Sequence, residues 1–340
     1  MLDHMMFAEY IWIDESGEIR SKTRLFSKLI QKYKTTHDPE PEWIPRPEYL
    51  QAWKYDGMYT GQSSASGDTE IMLCPVKTYK NPFHEGILIL CDTMNEDGYI
   101  GNRYNSFNIF KRKFEEKPFF YFDQEYFIFK KSITSYLPTL PEEIEEHKYY
   151  CAVGIHEPHE REIVEKHVKY CCKAGINITT INSEVERHQW KFQLSPTLGI
   201  NSADNLYIAR YILQRIAEQY NCYISYDSNP YNSLNRSRCC INFSTETTRG
   251  DNGIYIILYE YIPKLEKYHD EDIGIMSKDI HQDKDTKQDK DTKQDKDTKQ
   301  DKGIKQDKDT KQNKGTKQSK GTEQSKGTEQ SKGTEQSKGT

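Results

Sequence analysis

The chain has 340 residues, with 48 Lys and Arg against 53 Asp and Glu, and only 34% of its residues are hydrophobic. This average hides two parts, because residues 277–340 contain no aromatic residue and only two aliphatic ones, Ile280 and Ile304. Residues 1–276 hold every aromatic side chain and carry 31 basic and 40 acidic groups, a net charge of −9. They can bury one large core or two smaller ones, and their acidity argues against nucleic acid as a partner.

The apolar runs and the cysteines exclude further classes of protein. No run approaches the ~20 apolar residues that a membrane-spanning helix needs, so we expect no membrane partner. The first ten residues include acidic side chains and lack the pattern of a secretory signal, which predicts a cytoplasmic protein with reduced cysteines. The adjacent pairs Cys171/Cys172 and Cys239/Cys240 lack the C-x-x-C spacing of a structural zinc site.

Residues 277–340 form a repeat with a six-residue period, which begins as Asp-Lys-Asp-Thr-Lys-Gln at Asp283. Such a segment has too little apolar surface to offset the entropy lost on ordering, so we expect a disordered low-complexity tail. A functional charged arm is the alternative interpretation. The mixed charges favour a solvated, expanded repeat tract.

Strand signals dominate the first part of the chain. Residues 9–14 and 18–24 alternate in polarity, and residues 71–76 and 87–92 are short apolar runs bounded by Pro or Gly. Residues 27–33 are predicted to form a brief helix. These elements indicate a small antiparallel or mixed sheet.

Strands and helices alternate after a polar, glycine-containing break at residues 95–105. The predicted helices cover residues 104–116, 160–174, 203–220 and 253–268, the last of which Pro263 should kink or divide. The predicted strands cover residues 119–129, 149–154, 190–194, 223–226 and 239–243. The fold class that follows is α+β.

Two carboxylates lie within the aromatic strand predicted at residues 119–129. The two-residue period of a strand puts Asp123 and Glu125 on one face, and Phe122, Gln124 and Tyr126 on the other. Neighbouring carboxylates repel each other and lose solvation unless a cation lies between them. The pair therefore indicates either a metal site or a strand end whose carboxylates are exposed to solvent.

Two other stretches are candidates for chemistry. Residues 182–193 place Glu184 before a turn and Lys191 in a strand. Residues 232–245 form a polar loop that runs into a strand, a pattern seen both in substrate loops and in ordinary connections. Neither stretch identifies a reaction by itself.

Taken together, several short motifs resemble the eukaryotic-type glutamine synthetase from about Ala8 to His269, in the same order and with similar spacing. They are Glu-Tyr-Ile-Trp-Ile-Asp (9–14), Arg-Ser-Lys-Thr-Arg (20–24), Tyr-Asp-Gly (55–57), Asp-Gln-Glu-Tyr (123–126), Tyr-Tyr-Cys-Ala-Val-Gly (149–154), Gln-Trp-Lys-Phe-Gln (189–193), Ala-Arg-Tyr-Ile-Leu (209–213) and Asn-Phe-Ser-Thr (242–245).

The resemblance implies a β-grasp domain at residues 1–97 and a glutamine synthetase catalytic domain at residues 104–276, followed by the tail at 277–340. The family joins ammonia to L-glutamate through γ-glutamyl phosphate, using ATP and Mg²⁺ or Mn²⁺. Its subunits form rings, and each active site is shared between the β-grasp domain of one subunit and the catalytic domain of the next. An active chain would therefore have L-glutamate, ammonia and ATP as partners.

The resemblance also assigns metal-ligand positions. Glu125 and Glu184 match two ligands of one ion, but the third, a Glu in the family's Gln-Trp-Glu-Phe-Gln, is Lys191 here. At the nucleotide-side ion, Asp123 stands in place of a Glu, and Cys240 replaces a His. A thiol is a poor ligand for Mg²⁺, which prefers oxygen.

The substrate positions that the resemblance implies are partly altered. Asp56 matches the acid that helps to deprotonate ammonium, and Asn235 matches a residue that binds substrate. The family has small residues after that Asn, whereas this chain has Arg236 and Arg238. The resemblance ends near residue 270, so we also expect the last quarter of the family's catalytic domain, with its ATP-binding arginines, to be absent.

Three hypotheses about function follow. The chain is a working glutamine synthetase with unusual ligands, or a homologue that has lost catalysis, in which Lys191 pairs with Glu125 and Glu184 in place of the ion. The third hypothesis is a non-catalytic partner or regulator that inserts through its β-grasp domain into a full-length glutamine synthetase ring, as the retained Asp56 segment suggests. A homo-oligomeric ring is the alternative assembly. We favour lost or strongly impaired catalysis.

Overall fold

A computed structural model describes residues 5–27, 44–63, 69–131, 148–157, 159–231 and 236–271. The helix predicted at residues 27–33 lies outside these ranges except for Ser27, which ends a strand, and so do Asn235 and the repeat tail. The chain divides into two units, Met1–Lys267 and Tyr268–Thr340. Both sheets and the helices up to residue 267 belong to the first unit; in the second, residues 268–271 are helical.

The first sheet has six strands in the order β2-β1-β5-β4-β3, with β6 paired to β5. The strands are β1 (Met5–Ile13), β2 (Ile19–Ser27), β3 (Trp53–Asp56), β4 (Glu70–Lys80), β5 (Gly86–Asn95) and β6 (Gly98–Ile100). The pair β1/β5 is parallel and the others are antiparallel. The central strand β5 is a continuous run of buried residues, as expected for a strand covered on both faces.

The second sheet is built around the long strand β7 (Phe119–Lys130). Its order is β10-β7-β9-β8, and β11 and β12 also pair with β7, all antiparallel. The other strands are β8 (Ile178–Ser183), β9 (Gln189–Leu194), β10 (Thr197–Leu198), β11 (Cys222–Ser225) and β12 (Cys239–Ser244).

In the part of the chain that the structure describes, the sheets are accompanied by α1 (Asn102–Arg112), α2 (Glu160–Lys173), α3 (Asn201–Gln219) and a helical segment that begins at Gly253. On α2 the buried residues Ile163, Val164 and His167 recur at helical spacing and form its inner stripe. One core joins both sheets through α2 and α3, since Ile11 of β1, Tyr126 of β7 and Ile212 of α3 belong to the same buried cluster. The predicted α+β class is confirmed.

The final helical segment shows the predicted interruption. It is α-helical at Gly253–Ile256, π-helical at Ile257–Tyr261 and α-helical again from residue 262. Pro263 has no N–H to donate to the carbonyl four residues earlier, so a regular α-helix cannot continue through this point.

One predicted strand is wrong. Residues 148–154 form turns and bends. Cys151 (φ 53°) and Gly154 (φ 84°) adopt left-handed backbone conformations, and the Ala152 N–H donates to the Tyr149 carbonyl. Val153 is 84% exposed, so the apolar pattern that indicated a strand does not mark a buried face.

Candidate active site

The two faces of β7 differ as the strand period predicts. Gln124 faces α3, where its side-chain carbonyl accepts from the guanidinium of Arg210. Tyr126 is fully buried in the core. Asp123 and Glu125 face the other way, into a polar surface that α2 and α3 do not cover.

The strand register brings further polar residues onto this face. Glu125 lies opposite Lys191 of β9, and Asp123 lies opposite both Gln193 of β9 and Cys240 of β12. Glu184 comes directly after the end of β8, and its N–H donates to the Gln189 carbonyl at the start of β9. The fold therefore collects Asp123, Glu125, Glu184, Lys191 and Cys240 around one sheet face.

Lys191 and Glu184 form a direct ion pair. The Lys191 ammonium lies 2.5 Å from Oε1 of Glu184, and the Asn182 amide donates to the same oxygen at 2.9 Å. Burial by itself lowers the pKa of Lys191, but the bond to Glu184 and the charges of Glu184 and Glu125 raise it overall. The ammonium is thus held in its charged form beside these two carboxylates.

Glu125 is engaged by other groups. Its Oε2 accepts from the Gln189 amide at 3.1 Å and from the Arg238 backbone N–H at 3.2 Å. The Arg238 guanidinium lies 3.8 Å from Oε1. Burial and then the charge of Glu184 raise the pKa of Glu125, and the charges of Arg238 and Lys191 partly offset this.

Asp123 is also bonded on both oxygens. It accepts from the Gln193 amide at 2.7 Å and from the Asn242 amide at 2.9 Å. Cys240, opposite it on β12, is exposed. Two hydrogen bonds from neutral side chains therefore hold the Asp123 carboxylate in place on the sheet.

The other predicted site residues are apart from this face or undescribed. Asp56 ends β3 of the first sheet, is exposed, and accepts from the Met58 N–H at 3.0 Å, where it begins a short 3₁₀ turn. Asn235 lies outside the described residues, while Arg236 after it is exposed.

This donor set does not fit the divalent ion that the family resemblance implies. Mg²⁺ requires several oxygen ligands at ~2.1 Å in octahedral geometry. Here an ammonium group lies within bonding distance of Glu184, and Glu125 accepts from an amide and a backbone N–H. Among the residues that the structure describes, no three His, Cys, Asp or Glu side chains converge to hold a metal.

Sequence reasoning missed the amides that hold the carboxylates. Asn182, Gln189, Gln193 and Asn242 each donate to an acid of this face. A partial signal is present in β9, where Lys191 and Gln193 alternate with buried apolar residues. That alternation indicates a polar face, but the partner of each amide depends on strand register.

Comparisons with known proteins agree with one another. A family model described as "Glutamine synthetase, catalytic domain" matches residues 109–256. A putative glutamine synthetase of Acanthamoeba polyphaga mimivirus is 37% identical over 279 residues, which cover 80% of this chain and 75% of that protein. Glutamine synthetase N-1 of Phaseolus vulgaris is 36% identical over 280 residues, covering 79% and 74%.

A solved structure shares the fold. The cryo-EM structure of Plasmodium falciparum glutamine synthetase aligns with a TM-score of 0.52 at 15% identity. The alignment covers 72% of this chain and 51% of that chain, so this protein spans about half the length of the solved chain.

Proposed function

The chain belongs to the glutamine synthetase family, and from this we propose that it is a glutamine synthetase-like protein whose ligase activity is lost or strongly impaired. The family reaction would take L-glutamate, ammonia and ATP as substrates, with Mg²⁺ or Mn²⁺. The proposal rests on the position of the divalent ion, because the side chains present at that position are unsuited to bind such an ion.

The contact between Lys191 and Glu184 carries the proposal. Three ionised carboxylates at this site would present a charge of −3 to a divalent ion, whereas Glu125, Glu184 and Lys191 together present −1. The ammonium also donates to an oxygen that an ion would need. A like charge within a few ångströms of the ion position would repel the ion strongly in a partly buried site.

Two further substitutions support the proposal. Cys240 offers sulfur where the family has an imidazole, and Mg²⁺ binds sulfur poorly. Arg238 adds a cation within 3.8 Å of Glu125. Losing one electrostatic stabiliser commonly lowers a rate by about 10² to 10³, so several such changes together should bring the rate close to background.

Formation of γ-glutamyl hydroxamate from L-glutamate, hydroxylamine and ATP tests the proposal. We expect no product above background from the full-length chain in Mg²⁺ or Mn²⁺, with the Phaseolus vulgaris enzyme as a positive control under the same conditions. Hydroxamate that requires both ATP and metal, and that disappears in Glu184→Gln, would contradict it.

We also propose the domain assignment and the location of the protein. Strands β1 to β5 of the first sheet lie in a β-grasp domain at residues 1–97, with β6 just beyond its end, and the second sheet with α2 and α3 lies in a catalytic domain at 104–276. Among the described residues no helix is long and apolar enough to cross a membrane. The names of two relatives, from Glycine max and Daucus carota, include "cytosolic isozyme", which supports a cytoplasmic location.

A second candidate function is association with a full-length glutamine synthetase subunit. It is supported by β12, an edge strand on which Ile241 and Phe243 are 63% and 51% exposed. Exposed apolar edge strands are prone to pairing with another chain. Native mass spectrometry after co-expression with a full-length synthetase tests this function.

Two variants, each with an exposed apolar residue replaced by Glu, provide the test and the control in this experiment. Ile241→Glu should abolish the mixed oligomer, and Val153→Glu, at an 84% exposed residue away from this edge, should leave it intact. Absence of any mixed oligomer with the unmodified chain would exclude the second function.

A further inference from the structure

A cavity of about 640 Å³ lies on the opposite side of β7 from the candidate active site. Its walls come from β5, α1, β7, the start of α3 and the turn at residues 13–17. Phe122 lines it, whereas the neighbouring Asp123 faces the candidate active site. The volume is within the range of about 300 to 1,000 Å³ that is typical of small-molecule sites. The proposed glutamine synthetase chemistry does not involve this space.

Much of the wall is apolar and aromatic. Phe110 and Phe120 meet edge to face with ring centroids 5.3 Å apart. The remaining large apolar side chains of the wall are Ile13, Leu90, Ile100, Phe122, Ile200, Tyr207 and Ile241. Such a wall suits the apolar body of an organic molecule.

The charged groups of the wall are mostly acidic. Among the described residues that line the cavity, Asp14, Glu15, Asp92 and Asp204 are acidic and Arg103 is the one cation. Two of the acids are held by short bonds: Asp204 accepts from two nitrogens of Arg103, at 2.8 and 2.9 Å, and Asp14 accepts from Arg20, Ser16 and the Glu18 N–H at 2.7 to 2.9 Å.

Of the three buried acids in the wall, Asp14, Asp92 and Asp204, Asp92 accepts the longest hydrogen bonds. It is 7% exposed, and its two oxygens share one nitrogen of Arg103 at 3.2 and 3.4 Å. Burial raises the pKa of Asp92, and the Arg103 charge offsets this only in part. A carboxylate can accept about four hydrogen bonds, so Asp92 retains capacity for a donor from the cavity.

The same geometry argues against other ligand classes. All three nitrogens of Arg103 donate to Asp92 or Asp204, so this guanidinium is already paired with two carboxylates and is poorly placed to bind an anion. The described residues contain no three convergent metal ligands, which argues against a metal ion. A ligand with a positive charge and an apolar body matches both the acidic and the aromatic parts of the wall.

We propose that this cavity binds a small organic amine, whose ammonium group donates to Asp92 while its apolar body packs against Phe110, Phe120 and Tyr207. The charge-assisted bond to a buried carboxylate supplies specificity, and the aromatic wall supplies contact area. The site requires no ATP, glutamate or divalent ion.

Two probes with the same body and opposite charge test the proposal: 4-phenylbutylamine and 4-phenylbutyrate, each titrated calorimetrically into the full-length chain. We expect saturable binding of the amine and none of the acid. Asp92→Asn should weaken amine binding roughly ten- to hundredfold, as expected for loss of a charge-assisted bond. Asp97→Asn, at an exposed turn residue, is the matched control and should leave binding unchanged.

A second variant covers the case in which Asp92→Asn fails to fold. Ser106 of α1 lines the cavity, so Ser106→Phe should fill space and abolish amine binding without changing a charge. Equal binding of amine and acid, absence of amine binding, or unchanged amine affinity in a folded Asp92→Asn or Ser106→Phe variant would overturn the proposal.

Discussion

The ammonium of Lys191 lies 2.5 Å from the carboxylate of Glu184 on a sheet face that also presents Glu125. Their side chains are 27% and 10% exposed, so the pair is only partly screened by water. Such a pair stabilises the fold modestly while both members are present, and removing one leaves an uncompensated charge.

We predict that the pair shows measurable coupling in a double-mutant cycle. Glu184→Gln and Lys191→Met should each destabilise the protein by about 1–2 kcal/mol, and the double variant by less than their sum, because neither charge then lacks its partner. Urea unfolding provides the free energies. The exposed pair Lys113–Glu116, 3.5 Å apart, is the control and should show coupling below ~0.5 kcal/mol. Equal coupling in both pairs would contradict the interpretation.

Replacing Lys191 by Glu should make stability depend on metal. Three neighbouring carboxylates repel one another, so we expect Lys191→Glu to have a lower Tm than Lys191→Met in EDTA. An ion bound to the native state then raises stability, by about 2.7 kcal/mol when it is present at 100 times its Kd. Differential scanning calorimetry with and without Mn²⁺ measures this. A Tm of Lys191→Glu that does not respond to Mn²⁺ would argue against the inferred ion position.

His167 should make the protein less stable at acidic pH. Its side chain is fully buried, Nε2 lies 2.9 Å from the Ala209 carbonyl, and Nδ1 has no partner among the described residues. Burial lowers the pKa of His167 from 6.5 to about 4. Between these values the unfolded chain binds one more proton than the native chain, so stability falls on acidification, by about 3 kcal/mol over the whole window.

The variant His167→Gln separates this contribution from those of other groups. Gln retains an N–H donor for Ala209 but does not titrate, so its free energy of unfolding should vary less between pH 6.5 and 4 than that of the unmodified chain. Denaturant unfolding at a series of pH values measures the difference. Parallel pH profiles for the two proteins would show that His167 is not the cause.

Gly86 should tolerate no side chain, for a steric reason. It lies opposite Phe7 in the parallel pair of β1 and β5, with φ 153°, and a Cβ there would be 2.1 Å from the Phe7 carbonyl oxygen. Gly98 also has a positive φ, 127°, but a Cβ there meets nothing within 4 Å. We expect Gly98→Ala to cost about 1–2 kcal/mol and Gly86→Ala at least about 3 kcal/mol. Similar urea midpoints for the two variants would refute the close contact.

Elements with strong periodicity could be predicted from the sequence. The apolar run in β5 predicts a buried strand, and the apolar residues at helical spacing in α2 and α3 predict helices with one buried side. The structure confirms these three elements. β3 and β8 were not predicted, because Trp53–Asp56 is only four residues long and Ile178–Ser183 contains mainly polar and β-branched residues. In residues 149–154, left-handed backbone at Cys151 overrides the apolar pattern.

The site could be predicted only in part. Alternation places Asp123 and Glu125 on one face, and Lys191 was expected to pair with Glu125 and Glu184. The structure has the direct contact with Glu184, while Glu125 accepts bonds from Gln189 and Arg238. Which of the two glutamates Lys191 contacts depends on the turn between β8 and β9, where His188 has φ 67°. Such a turn leaves no periodic signal in the sequence.

Calorimetric titration of Mn²⁺ into the full-length chain tests most directly whether a lysine ammonium has replaced a divalent ion. We predict no saturable heat at micromolar to millimolar Mn²⁺ for the unmodified chain, and saturable binding for Lys191→Glu under the same conditions. Stoichiometric Mn²⁺ binding by the unmodified chain that is lost in Glu184→Gln would contradict this account.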